Sequence, residues 1–261
     1  MFQTAVIASG SKGNCFLVRT EQTKLIIDAG LSAKRVLEAM ASLKLDHNKV
    51  EAVLISHEHS DHIKGAGVLC RKLNIPLYIT DLTYNLCRAR LGKLPLGVHH
   101  FKIGERFEIG DLLIDSFPAS HDGIDGANFI IEKIGESNRK LALVTDLGYS
   151  SRLTKLKMQK ATTLILECNH DVELLLDGPY PWHLKQRIRS RHGHLSNDQA
   201  IELFREIMHP ELVNVILAHL SEVNNCPDLV EKLWGEFLRS INSESKLLIS
   251  SQYEPTPLVD I

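Results

Sequence analysis

The chain has 261 residues, 44% of them hydrophobic and 24% charged, with a formal net charge of -2. That is ordinary globular composition, long enough for a substantial core and suited to one large domain or two small ones. So small a charge sets up no global field toward nucleic acid or an anionic membrane, and any such partner must be met by a local patch.

The first residues, MFQTAVIASGSKGN, lack a basic stretch followed by a long apolar core, so they do not read as a signal peptide. No apolar run approaches the roughly 18 residues of a spanning helix. Five scattered cysteines with no CxxC pair read as reduced thiols. The expectation is a cytoplasmic protein with no membrane partner. Its oligomeric state is not legible.

Apolar runs predict strands at 4–9, 14–20, 23–30, 50–56 and 75–80, then at 112–118, 126–134, 140–146, 162–168 and 214–220. Several are continuously apolar, as in strands covered on both faces. Helices are predicted between them. Ser32 caps a first one, with Val36, Leu37, Met40 and Leu43 on one face. Another follows residue 62. Ser196 and Gln199 form a capping box ahead of a third, and Asp228 caps a fourth. The tail from 250 reads as irregular. An internal echo relates LIIDAG (25–30) to LVTDLG (143–148), each followed by a second strand with a histidine-bearing end. Two similar α/β halves facing each other within a single domain, 1–261, are expected.

The densest chemical signal is LISHEHSDHIKG, 54–65. His57, His59, Asp61 and His62 follow a buried strand and precede a helix, where α/β folds place ligands. Imidazole and carboxylate together suit zinc, manganese or iron. Four donors in six residues exceed one tetrahedral site that must also hold water, so two adjacent ions are expected.

This H-x-H-x-D-H pattern resembles that of the metallo-β-lactamase-fold superfamily. An aspartate after an early strand, a distant histidine, a second aspartate and a last histidine complete the likeness, in Asp28, His121, Asp146 and His219. Each ends an apolar strand. The resemblance implies an α/β, αββα sandwich of two mixed sheets flanked by helices. It implies His57, His59 and His121 on one metal, Asp61, His62 and His219 on the other, Asp146 bridging them, and Asp28 behind them orienting the loop. SGSKGNC (9–15), ECNHD (167–171), GPYPWHLKQRI (178–188), HGHLSN (192–197) and AHLSEVNN (218–225) are similar to the YycJ-type (WalJ) branch, which is associated with 5′-to-3′ exonuclease activity on DNA. The inserted nuclease domain of ribonuclease J is absent.

The expected chemistry is phosphodiester hydrolysis by a hydroxide bridging two divalent ions, with Asp61 among the catalytic groups. His194 and His170 both qualify to protonate the departing oxygen, and the sequence does not separate them. Residues 178–197 carry Lys185, Arg187, Arg189 and Arg191 with no acid, and 82–104 repeat the pattern. Such segments suit a polyanion, DNA or RNA, although a basic run is also an ordinary solvated face. Ser11 and Asn14 in a turn with exposed N–H groups, together with Ser196, complete the expected substrate contacts. Tyr180 and Trp182 offer stacking surfaces or plain packing beside two prolines. The ligand set alone also permits a dinuclear hydrolase of a small carbonyl substrate such as a lactone, thioester or lactam. A redox-active diiron protein is disfavoured by the intact histidine set, and a non-catalytic nucleic-acid-binding module by the cost of burying idle ligands.

Overall fold

The structure, a computed structural model, describes residues 1–261 with the exception of Ser137. Among the described residues two seven-stranded sheets carry the fold. In the first, β1 (Phe2–Ala8), β2 (Cys15–Thr20), β3 (Lys24–Ile27), β4 (Ala52–Leu54), β5 (Leu77–Thr80) and β6 (Val98–Phe101) lie side by side in chain order. The second runs likewise through β7 (Arg106–Ile109), β8 (Leu112–Pro118), β9 (Ala127–Lys133), β10 (Glu136–Val144), β11 (Thr163–Glu167), β12 (Asn214–Ala218) and β13 (Lys246–Ile249). The last strand, β14 (Val259–Asp260), pairs antiparallel with β1.

The internal echo has a structural counterpart. β3 is antiparallel to β2 and parallel to β4, and β10 is antiparallel to β9 and parallel to β11. Each of these junction strands runs into an aspartate with positive φ, Asp28 at 59° and Asp146 at 55°. Aspartate tolerates that left-handed conformation better than most side chains, and it turns the chain inward at the strand end.

The continuously apolar strands are explained by two covered faces. Leu25, Ile27, Ala52 and Leu54 meet Leu141, Leu143, Ile165 and Ile216 in the layer between the sheets. The alternate residues Ile26 and Val53 face an outer layer with α1 (Ala33–Ser42), α3 (Ala66–Leu73) and α4 (Asp81–Leu91), beyond the single turn of α2 (Ser60–Ile63). Across the molecule, Leu164, Leu166, Val215 and Leu217 pack beneath α5 (Arg152–Met158), α8 (Asn197–Ile207) and α9 (Pro227–Ser240). Two short helices, α6 (Val172–Asp177) and α7 (Trp182–Ile188), fill the connection before α8. The result is the expected αββα sandwich.

Ser32 caps α1 by accepting from the Arg35 N–H, and Ser196 and Gln199 form both halves of the capping box on α8. Asp228 is not a cap, because α9 begins at Pro227 and places Asp228 in its first turn. The tail is only partly irregular, since its last residues make the edge of a sheet. β6, β7 and β13 go unforeseen because each is four residues long and partly exposed: β6 and β7 offer no apolar run, and that of β13 is only residues 247–249. No helix among the described residues is long and apolar enough to cross a membrane.

Candidate metal centre

Every residue expected at the centre lies just past the carboxyl end of a strand: Asp28 after β3, His57 to His62 after β4, His121 after β8, Asp146 after β10 and His219 after β12. The structure brings them together. His57, His59 and His121 form one compact cluster of ligand atoms, and Asp61, His62 and His219 form another. Asp146 touches both. One of its oxygens lies 3.3 Å from His219 Nε2 and 3.7 Å from His121 Nε2, and the other lies 3.4 Å from His62 Nε2. His219 also has positive φ, 58°, so three of the turns that aim these side chains are left-handed.

Hydrogen bonds fix which ring nitrogen faces the centre. His62 Nδ1 lies 2.8 Å from Asp28 Oδ2, to which it donates. Ser56 Oγ lies 2.8 Å from the same oxygen and 2.9 Å from His57 Nδ1. Read as donors and acceptors, the His57 N–H donates to the hydroxyl and the hydroxyl donates to Asp28, so one carboxylate sets both imidazoles. Asp28 Oδ1 accepts from the Ser56 backbone N–H at 2.8 Å. His121 Nδ1 donates to the Gly193 carbonyl at 3.1 Å. The nitrogens left over point inward. His57 Nε2, His219 Nε2 and Asp146 Oδ2 are buried without a hydrogen-bond partner, the last two having only the longer contacts given above. Buried polar atoms are nearly always satisfied, and orphans converging on one spot are what a cation binder leaves when no ion is counted. The donor set therefore fits divalent metal.

The charges agree. Burial pushes the Asp146 carboxyl up, but His219 and His62 outweigh it and hold the group well below the usual range. Burial lowers His219, yet Asp146, Asp61 and Glu167 raise it to about 9. His57, with less carboxylate help, is driven down by burial and by His62.

The loop before β2 closes one side. The Asn14 N–H donates to Asp61 O at 2.7 Å, and a side chain at Gly30 would place its Cβ 1.6 Å from that same oxygen, so only glycine fits there. Asn14 is itself fully buried, with Nδ2 3.2 Å from Asp61 Oδ2, and thus supports the cluster where a substrate contact was expected. Ser11 does line the opening, with Tyr180, Arg187 and His194, in a pocket of about 260 Å³.

Other expected residues sort differently. Lys185 is buried, its Nζ donating to Leu176 O at 2.6 Å, so it ties α7 to α6 and is not free for phosphate. Ser196 is occupied as the cap of α8. Arg189 is exposed and lies off the pocket lining. Trp182 is exposed and also off the lining. His170 is only 1% exposed, and burial lowers it to about 4, whereas His194 faces the pocket. The His194 Nδ1 lies 2.6 Å from Oε1 of the fully buried Glu167, whose other oxygen accepts from the Leu147 and Leu195 N–H groups.

Ser56 and Asp122 were not foreseen. Asp122 lies 3.5 Å from His59 Nε2 and 3.3 Å from His121 Nε2, and it holds Arg187 through Oδ2. Its place beside His121 in SHDG was the available signal. Replacing Asp28 with asparagine, which tolerates the same left-handed turn, is expected to weaken metal affinity about 10- to 100-fold while the fold persists. Metal titration by calorimetry checks this, and unchanged affinity would remove Asp28 from its orienting role.

Comparison with known proteins places this geometry. A model of the beta-lactamase superfamily domain matches residues 23–219. The chain is 40% identical over 226 residues to exodeoxyribonuclease YycJ of Bacillus anthracis, covering 86% of this chain and 84% of that one. It is 36% identical to exodeoxyribonuclease WalJ of Streptococcus pneumoniae, covering 100% and 98%. Among solved structures, the metallo-beta-lactamase fold protein YhfI of Bacillus subtilis aligns with a TM-score of 0.74 at 18% identity, over 98% of this chain and 99% of that one. Zinc-bound PqqB of Methylobacterium extorquens aligns at 0.72 and 13%, over 99% and 100%.

Proposed function

We propose an activity for this chain, which belongs to the β-lactamase superfamily and, within it, to the YycJ/WalJ exodeoxyribonuclease family: it is a two-metal phosphodiesterase that degrades DNA from the 5′ end. That it is a metal-dependent hydrolase follows from its family. The reading adds the number of ions, the residues that hold them, the proton donor and the direction. It is carried by the position of Asp146, whose two oxygens lie between the His57–His59–His121 and Asp61–His62–His219 clusters. A carboxylate so placed suits two ions better than one. Zinc or manganese fits the imidazole and carboxylate donors, with iron as a further candidate. Two such ions supply an acidified water and positive charge for the oxygens that gain charge during displacement.

The chain's own residues supply the rest. With Nδ1 held by Glu167, His194 offers its other ring nitrogen to the pocket, and from there it donates a proton to the departing oxygen. Arg187, held by Asp122 at the mouth, meets a non-bridging phosphate oxygen or the next phosphate along the strand. The 5′-to-3′ direction is taken from the family resemblance.

The decisive experiment is product analysis on 5′- and 3′-labelled single- and double-stranded DNA and RNA, with zinc, with manganese and with chelator. Metal-dependent release of mononucleotides from the 5′ end of DNA is expected. Internal cuts, or turnover confined to a lactone or thioester panel, would sink the reading. In binding titrations on the same single strands over a range of salt, Arg187→Ala and Arg189→Ala should each flatten the dependence of log affinity on log salt by about 0.7. Unchanged slopes would take the 187–189 segment out of the binding surface.

A further inference from the structure

The largest cavity described, about 670 Å³, is not the one that holds the clustered ligands. It adjoins that pocket, since Ser221 lines both. Its floor is apolar, from Leu220 and the β13 residues Leu247, Leu248 and Ile249. Its other walls are the first turn of α9 and the strap 250–253, and Tyr253 stands exposed at the rim.

The charge on this rim differs from that on the opposite side of the centre. Arg187 stands with Asp122 beside His59 and His121. The new cavity lies beyond Ser9 and Ser221, on the His219 side, where Ser9 Oγ accepts from the His219 N–H at 2.8 Å. Here the charged lining residues are Glu222 and Glu231. No Lys, Arg or His is among the lining residues. Of the cations close by, Lys12 is paired with Glu222 at 2.6 Å and lies over the Tyr253 ring, and Arg35 donates to the Gln252 carbonyl at 2.8 Å. Phosphate is therefore disfavoured. An uncharged body with an aromatic face and N–H donors is favoured, because it can lie on the apolar floor, stack at Tyr253 and donate to a carboxylate. The buried Ser250 hydroxyl in the lining has no partner within the protein. The volume lies in the usual range for ligand sites, about 300–1,000 Å³.

We propose that this cavity binds the nucleoside, base and sugar, that flanks the scissile phosphate. The inference rests on the nuclease reading and adds to it a division of labour: phosphates on the Arg187 side, a nucleoside on the Ser221 side. It follows that the site recognises a base without reading its identity closely, since stacking and a flexible carboxylate discriminate weakly.

Two exposed positions test it without touching the metal clusters, Tyr253→Ala to remove the ring and Glu231→Trp to fill the mouth. Against a single-stranded oligonucleotide, each is expected to raise KM at least about five-fold, in line with the loss of one stacking contact. Against methyl p-nitrophenyl phosphate, too small to reach the cavity, kcat/KM should stay within about two-fold. Ligand-observed NMR with deoxyadenosine should show binding to the unaltered protein and loss of it in both variants. That readout stands apart from catalysis, so a protein that cleaves no nucleic acid would sink the nuclease reading while the cavity is still tested. No deoxyadenosine binding, equal binding in all three proteins, or equal losses on both substrates would each overturn the proposal.

Discussion

Asp146→Asn is expected to lower kcat/KM on DNA by about a thousand-fold or more, comparable to losing a principal electrostatic contact at a reacting centre. Asparagine is the informative substitution. Position 146 has φ 55°, which asparagine adopts readily, whereas alanine would add backbone strain to the loss of charge. The amide keeps the shape and removes the negative charge from between His62, His121 and His219. Circular dichroism and thermal melting should show an intact metal-free fold, while metal analysis shows fewer than two ions bound. The same carboxylate sets the pH dependence of loading. In the metal-free protein His219 holds its proton up to about 9, so at neutral pH metal must expel that proton. Affinity should therefore weaken as pH falls below about 9. Calorimetry in buffers of differing ionisation enthalpy should show protons released on binding, and fewer released by the variant. Full loading with turnover within ten-fold of the unaltered protein would show that Asp146 bridges nothing.

The centre was legible in the sequence because its residues obey a positional rule. The 57–62 cluster stands out by its own density of donors, while the family resemblance adds His121, Asp146 and His219. That each follows an apolar strand, and that strand ends in this architecture share one edge, supports placing all seven together. The double sandwich was legible for a related reason: strands covered on both faces carry consecutive apolar residues, as β4 does throughout and β3, β11 and β12 do at 25–27, 164–166 and 215–218. What could not be read depended on direction. Lys185 and Arg187 sit two apart in one basic run, yet one side chain turns back to a carbonyl on α6 and the other reaches the pocket. His170 and His194 are both histidines near a strand end or helix start, and only burial tells them apart. Asn14 looks like a polar surface residue because nothing in a linear pattern shows that Asp61 already claims it, whereas the capping box does mark Ser196 as engaged by Gln199 and so weighs against a substrate role for it. Charge totals mislead for the same reason. Lys12 counts as a cation in the SGSKGN turn but is neutralised by Glu222, more than two hundred residues away in the chain.

His194→Ala should cost about a hundred- to a thousand-fold in kcat on DNA, the usual worth of a positioned proton donor, with both ions retained. Its dependence on the leaving group is the sharper test. The departing sugar alkoxide is a strong base and needs a proton as it leaves, whereas p-nitrophenolate is weakly basic and departs without one. On methyl p-nitrophenyl phosphate the variant should therefore recover to within about ten-fold of the unaltered protein. A role in binding phosphate would predict equal losses on both substrates, mostly in KM. Glu167→Gln completes the comparison. Oε1 of Glu167 lies 2.6 Å from His194 Nδ1 and 3.5 Å from His219 Nδ1, so the change acts on the donor and brushes the metal cluster. The amide's single oxygen can accept from Nδ1–H only by turning its NH2 toward the Leu147 and Leu195 N–H groups that Oε2 now serves, and it no longer stabilises the charged imidazolium, so thermal melting must accompany the kinetics. A smaller fall than for His194→Ala, again confined to the DNA substrate, is expected. If Glu167→Gln instead strips metal and slows both substrates alike, the carboxylate serves His219 first, and His194 loses its claim to the proton.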